Sequence, residues 1–214
     1  METNNIIAGV YGVEHLYSDI EEKGCAKIKT YTIDENEIVL YNLRAMRDGG
    51  SMFYVNSGKY VKLLIDGHLM MSDMGMERRS NRNFIQIANG RVLIAGLGIG
   101  LIIHNILQRK PINDRITEII VIEKYQDVID LVAPKFNDPR LKIICADIFD
   151  WKPNKGEKFD TIYFDIWPDI CEDNLIEIKQ LHNKFKSYLN RNNTNAWMDS
   201  WLKDFLQAKR RRNY

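Results

Sequence analysis

Three acids close short apolar runs. Glu123 follows Ile119-Ile120-Val121-Ile122, Asp147 follows Leu141–Cys145, and Asp165 follows Thr161–Phe164. A fourth run, Val92–Ala95, ends instead at Gly96-Leu97-Gly98-Ile99-Gly100 and leads into a helical pattern. Ionised carboxylates accept hydrogen bonds, and glycines let a backbone approach a ligand closely. A helix that starts behind such a turn offers free N–H groups and a partial positive charge. Glu123 stands 23 residues after Gly100, the spacing of an acid that accepts from both hydroxyls of a ribose. Asp147, one run later, suits the exocyclic amine of adenine, with Asp150 as a nearby rival. Asp165 would face the reacting centre, where a carboxylate orients or deprotonates an amine. Structural readings stand beside each of these: a turn without ligand, a solvated strand-end acid, and, for Asp165, a helix cap.

Such residues act together only if their runs are neighbouring strands that point the same way. The pattern predicts strands over 92–95, 118–122, 141–145 and 161–164, alternating with helices over 99–109, 125–133 and 172–189. That alternation argues a parallel sheet with right-handed crossovers, whose ligands sit beyond the C-terminal strand ends. Ala196-Trp197-Met198 reads as a short fifth strand and 201–208 as a last helix, with Trp197 and Trp201 in the core. Pro111–Asp114 reads as a loop, and a helix over 77–89 stops at Asn89-Gly90. Upstream, strands are expected over 27–33, 38–41 and 59–65, with turns at Asp34–Glu37, Asp48–Ser51 and Asp66-Gly67. The fold class expected is α/β: a Rossmann-like parallel sheet with helices on both faces, behind a small N-terminal β-module. The division is 1–74 for the module and 75–214 for the Rossmann-like domain.

Composition narrows the partners. A net charge of +1 gives no global electrostatic footprint for nucleic acid and argues against such a partner. No apolar run reaches the roughly 18 residues of a membrane span, and the polar Met1–Asn5 lacks a signal-peptide layout. The expected compartment is the cytoplasm. Cys25, Cys145 and Cys171 form no CxxC pair, so neither a disulfide framework nor a metal site is expected, and Cys145 reads as a buried thiol. Lys209–Arg212 reads as a solvated tail, with nucleic-acid contact as the sharper alternative. Arg78, Arg79 and Arg82 read as a solvent face; the alternative pairs one of them with an anion, with Asp73 and Glu77 close enough to neutralise them. Trp167-Pro168 is either a pocket wall or simple packing. The β-module and the aromatic C-terminal helix offer apolar surfaces compatible with a homo-oligomer.

The chain resembles class I S-adenosylmethionine-dependent transferases, and among them the spermidine synthase-like group. Residues 61–170 carry the resemblance. Leu63–Gly67 resembles the strand and turn that enter the family's core domain, and Ala95–Gly100 its glycine loop. Val121-Ile122-Glu123 resembles its ribose-binding acid, and Ala146-Asp147-Ile148-Phe149 its adenine-binding motif. Asn137–Leu141 matches the turn before the third strand, and Phe159–Asp165 the strand that ends in the catalytic acid. The resemblance implies cofactor contacts at Gly96, Gly98, Gly100, Glu123, Asp147 and Ile148, catalysis at Asp165, and no metal. It departs from the family where Leu69 replaces a glutamine, where Arg78–Arg82 replaces a Tyr-His-Glu motif, and at Asp165-Ile166-Trp167-Pro168-Asp169, whose second acid is displaced by one position. A diamine needs a carboxylate at each ammonium, and this chain provides less for that. The expected function is therefore methyl transfer from S-adenosylmethionine to a small-molecule acceptor. Aminopropyl transfer from decarboxylated S-adenosylmethionine is the enzymatic alternative, and a non-catalytic adenosyl-ligand or protein-binding module the third reading.

Overall fold

The computed structural model describes residues 6–48, 50–109 and 115–212. The expectations for Met1–Asn5 and for the loop Pro111–Asp114 lie outside these residues. By internal packing the chain divides into two compact units. One gathers Met1–Gln86, Gly98–Gln108 and Asp130–Phe136; the other gathers Ile87–Leu97, Arg109–Ile129 and Asn137–Tyr214.

The first unit opens with a small hairpin, β1 (Ile6–Ile7) and β2 (Val10–Tyr11). It is built on a four-stranded antiparallel sheet of β3 (Ile20–Lys23), β4 (Ala26–Ile33), β5 (Gly58–Ile65) and β6 (His68–Ser72), ordered as numbered. β4 and β5 follow the expected strands. In β4, Ala26, Ile28, Thr30 and Ile33 are buried between more exposed residues, as a strand with one covered face requires. Asp66 and Gly67 turn β5 into β6 with positive φ angles of 49° and 80°, the geometry of a tight hairpin turn.

The expected strand at 38–41 is instead part of a helix, α1 (Glu35–Asp48). The local chemistry explains it. Asp34 Oδ1 accepts from the N–H groups of Asn36 and Glu37, while Glu37 Oε2 accepts from Asp34 N–H. That reciprocal box satisfies donors that a helix start leaves open, so Asp34–Glu37 begins a helix rather than ending a strand. The unit also holds α2 (Gly75–Ile87) and α3 (Leu101–Gln108). On α2, Arg82 is exposed as expected, but Arg78 is not. Arg78 and Asp73 are both 0% exposed and paired at 2.9 Å. Asp73 also accepts from Val13 N–H and Val61 N–H, so this buried ion pair ties together three separate parts of the chain. Arg79 Nη1 donates to the carbonyls of Met52 and Tyr54.

The second unit contains a five-stranded, wholly parallel sheet. Its strands are β7 (Gly90–Ala95), β8 (Ile116–Glu123), β9 (Leu141–Cys145), β10 (Thr161–Phe164) and β11 (Trp197–Ser200), in spatial order β11-β10-β7-β8-β9. Val92–Ala95, Ile119–Glu123 and Thr161–Phe164 are buried throughout, as strands covered on both faces are. Helices α3, α4 (Gln126–Val132) and α5 (Asn174–Phe185) connect successive strands, and α6 (Lys203–Arg212) follows β11. The architecture is the α/β, Rossmann-like one expected. Cys145 is a correction: it is exposed. β9 is an edge strand with no fully buried residue, so apolar composition there does not bury the thiol.

Candidate functional site

The strand order sets the site. From β7 the chain steps outward to β8 and β9, then returns to the other side of β7 for β10 and β11. The order therefore reverses between β7 and β10, and crevices at such switch points hold ligands in open parallel sheets. Ala95 pairs with Phe164 across that boundary, so Gly96 and Asp165 are the first residues beyond the two strands. Asp165 N–H donates to Ala95 O at 2.8 Å, and Gly96 N–H donates to Ile122 O at 2.9 Å.

Gly96 has a φ of +98°, and a Cβ there would collide with the carbonyl oxygen of Asp165. The glycine is thus required by the close passage of two backbones. Gly98 and Gly100 also have positive φ, with Met71 beside the first and the Phe136 ring beside the second, all within the first unit. The glycine pattern has a packing cause at each of its three positions.

Glu123 ends β8 and is 7% exposed. Its Oε2 accepts from Leu97 N–H at 2.8 Å and its Oε1 from Tyr125 N–H at 2.9 Å. One donor comes from the glycine turn and the other from the turn after the strand, so the carboxylate is held by both oxygens and its plane is fixed. Asp147 lies two residues past β9. Its Oδ1 accepts from Phe149 N–H at 2.9 Å, and its Oδ2 faces Lys124 Nζ at 3.1 Å. The Phe149 bond, outweighing partial burial, together with Lys124 holds the carboxyl below its ordinary range, so Asp147 is an anion at neutral pH. Ile148 is buried. Its carbonyl and that of Phe149 accept from Lys184 Nζ on α5, at 2.8 and 2.6 Å. Asp165 is half-buried at the end of β10. The loop after it is pinned where the buried Trp167 donates from Nε1 to Glu177 Oε2 at 2.7 Å.

Glu123, Asp147 and Asp165 thus occupy the C-terminal ends of strands, or the turns just past them, in one parallel sheet. Carboxylates oriented as those of Glu123 and Asp147 are can accept from hydroxyl and amine donors. Among the described residues no group of three or more His, Cys, Asp or Glu is placed to hold a metal ion. Sequence reasoning missed Lys184, which holds two carbonyls of the Asp147 turn, and Lys124, which meets the Asp147 carboxylate from the surface. Lysines on turns and helix faces are ordinarily solvent groups, and no spacing rule singles these two out. No helix among the described residues is long and apolar enough to cross a membrane.

No family model matches the chain. Over 120 residues it is 31% identical to a polyamine aminopropyltransferase of Thermococcus onnurineus, a match that covers 52% of this chain and 43% of that protein. Less than half of that relative's length is therefore represented. Similar solved structures include the spermidine synthase of Thermotoga maritima, at 16% identity, 80% coverage of this chain and 52% of that one, with a TM-score of 0.44. They also include the plantazolicin methyltransferase BpumL in complex with SAH, at 20% identity, 50% and 39% coverage and a TM-score of 0.37. A third is the N-methyltransferase NodS of Bradyrhizobium japonicum, at 13% identity, 53% and 62% coverage and a TM-score of 0.40. Methyltransferases and a spermidine synthase are the two kinds of protein to which the motifs pointed. The fold assignment rests on the strand order and registers above, not on these overlaps.

Proposed function

We propose that the chain binds S-adenosylmethionine at the C-terminal edge of its parallel sheet and transfers the methyl group to a small acceptor. The observation that carries this reading is Glu123, a buried strand-end carboxylate oriented through both oxygens by backbone N–H groups. When bound, the cofactor supplies a sulfonium-activated carbon that a nucleophile can attack. Glu123 would receive the ribose hydroxyls, Asp147 the adenine amine, and Ile148 would pack on the ring. Gly96 and Leu97 shape the turn beside Glu123. Asp165 would hold an acceptor amine and take its proton, leaving the protein mainly the task of alignment.

Aminopropyl transfer from decarboxylated S-adenosylmethionine is the second reading, favoured by the similarity to a polyamine aminopropyltransferase. Titration calorimetry with S-adenosylmethionine, its decarboxylated form and methylthioadenosine separates the two. Tightest binding of the carboxylated form supports methyl transfer, and tightest binding of the decarboxylated form supports aminopropyl transfer. In either case Glu123→Gln is expected to weaken binding by at least about tenfold, the cost of losing hydrogen bonds to a charged acceptor. No heat with any of the three ligands rejects the adenosyl site. Retention of biological activity in Asp165→Asn would point to a non-catalytic binding module.

A further inference from the structure

The C-terminal helices of the second unit carry a feature that the adenosyl site does not use. α5 follows β10 and α6 follows β11, two neighbouring parallel strands, so the helices descend the same way. An open groove of about 730 Å³ runs along them. Leu175, Lys179 and Asn183 step down one wall in fours, as Lys203, Gln207 and Arg211 do on the other, with Ile178, His182 and Arg210 completing the lining. Four of the nine lining residues are Lys or Arg and none is Asp or Glu. Lys203 already shares Asp199; Lys179, Arg210 and Arg211 are exposed. His182 adds no charge at neutral pH: burial holds its pKa below the ordinary value, and its Nε2 lies 2.9 Å from Ser200 Oγ.

Cations in the last turn of α6 complement that helix's own dipole, and one or two would suffice for that. Four consecutive ones, Lys209–Arg212, exceed that need, and two of them, Arg210 and Arg211, line the groove with Lys179 of a different helix. The net charge of +1 hides this concentration, because the surplus is local.

We propose that this groove carries the phosphodiester backbone of single-stranded nucleic acid. Guanidinium forks match phosphate oxygens in pairs. The Asn183 and Gln207 amides add hydrogen bonds to phosphate or sugar. An open trough suits a polymer that passes through it rather than a small molecule enclosed by it. Ile178 is buried, so Leu175 and the aliphatic stems of the lysines and arginines make up the apolar part of the floor. No Phe, Tyr or Trp lines the groove, so bases find no stacking partner there, and contact falls on the backbone and is indifferent to sequence. This inference does not depend on the adenosyl reading.

Fluorescence anisotropy with labelled oligouridylate and oligothymidylate tests it on the full chain. Three to four phosphate contacts give a log–log salt slope of about −2 to −3 for a single strand. Affinity should then fall roughly twentyfold to fiftyfold between about 50 and about 200 mM salt. Arg210→Gln/Arg211→Gln should reduce that fall to roughly threefold to sevenfold. Lys179→Gln, on the other helix, should also weaken binding. Lys29→Gln/Lys155→Gln, which removes two exposed lysines outside the groove, should not. Binding of either oligonucleotide with this pattern supports the proposal, and the ratio of the two measures the part played by the 2′-hydroxyl. Three results overturn it: no binding at the lower salt, equal weakening by the control pair, or a polyglutamate of equal length that competes as well as the oligonucleotides. The last would assign the groove to an acidic protein partner.

Discussion

The two ends of the parallel sheet both carry acids, and the chain treats them differently. At the N-terminal end, Asp160 is enclosed by its own chain. Its Oδ2 accepts from Arg91 N–H at 2.8 Å, and its Oδ1 from the side-chain amides of Asn190 and Asn193 at 2.7 and 2.8 Å. Asn193 also reaches Asn89, whose backbone exchanges two hydrogen bonds with Thr161 Oγ1. Even Gly90 is dictated here, since a Cβ would strike the Asp160 carboxylate. At the C-terminal end, Glu123 and Asp147 are met by backbone N–H groups of adjoining turns and, for Asp147, by a largely exposed lysine. Side-chain amides brought from 30 residues away staple loops together. Backbone N–H groups from neighbouring turns only aim a carboxylate. The first arrangement serves stability and the second serves orientation.

Removing Asp160 should have the largest effect on folding. Asp160→Ala strands one backbone N–H and two amides, and urea denaturation should show a loss of about 3 kcal/mol. Adenosyl-ligand affinity in the folded fraction should not change. The mirror experiment is Glu123→Gln, which keeps one of the two acceptors and turns the other into an amide donor facing a backbone N–H; it should cost about 1–2 kcal/mol in stability, less than Asp160→Ala, while weakening the ligand as above. If Asp160→Ala spared stability, or Glu123→Gln cost more of it than Asp160→Ala did, the contrast between the two ends would fail.

Acid titration sharpens the same comparison with a smaller effect. Burial pushes the Asp160 carboxyl up, but the hydrogen bonds from Arg91, Asn193 and Asn190 together outweigh it and leave its pKa below 3.8. A carboxyl depressed in the folded state contributes its full stability above the unfolded value and loses it as pH falls through the folded one. The stability difference between wild type and Asp160→Asn should therefore be flat above the ordinary value of 3.8 and shrink below it. A difference that grew on acidification would mean that Asp160 is held in its neutral form.

The sheet and its strand-end acids could be read from sequence because the centres of β7, β8 and β10 are buried on both faces, and their aliphatic and aromatic runs have little other use. What stayed hidden was set by tertiary pairing or by a local rule masked by composition. Ile38-Val39-Leu40-Tyr41 has the look of a strand, yet the Asp34–Glu37 box before it fixes a helix start. Arg78 sits in a run of charge that usually meets water, and only the fold shows that Asp73 neutralises it in the core. Cys145 belongs to an apolar run whose strand lies at an edge. The Asp160 cluster joins residues 89, 160, 190 and 193, a separation that no pattern within one element reveals.

The smallest effect is expected at Lys124. Its side chain is 61% exposed and that of Asp147 29%, so their pair is a surface contact screened by water. Such pairs contribute a few tenths of a kcal/mol at most, and Asp147 keeps its bond from Phe149 N–H without the lysine. Lys124→Met should leave the urea midpoint in place. In the adenosyl reading, Lys124 competes with the adenine amine for Asp147 Oδ2. Its removal should then tighten S-adenosylmethionine binding slightly, by no more than about threefold, and make it less sensitive to salt. Weaker binding in Lys124→Met would mean that the ammonium itself touches the ligand. The C-terminal end would then hold a cation that binds as well as acids that are aimed, and the division between orienting and binding groups would have to be redrawn around Lys124.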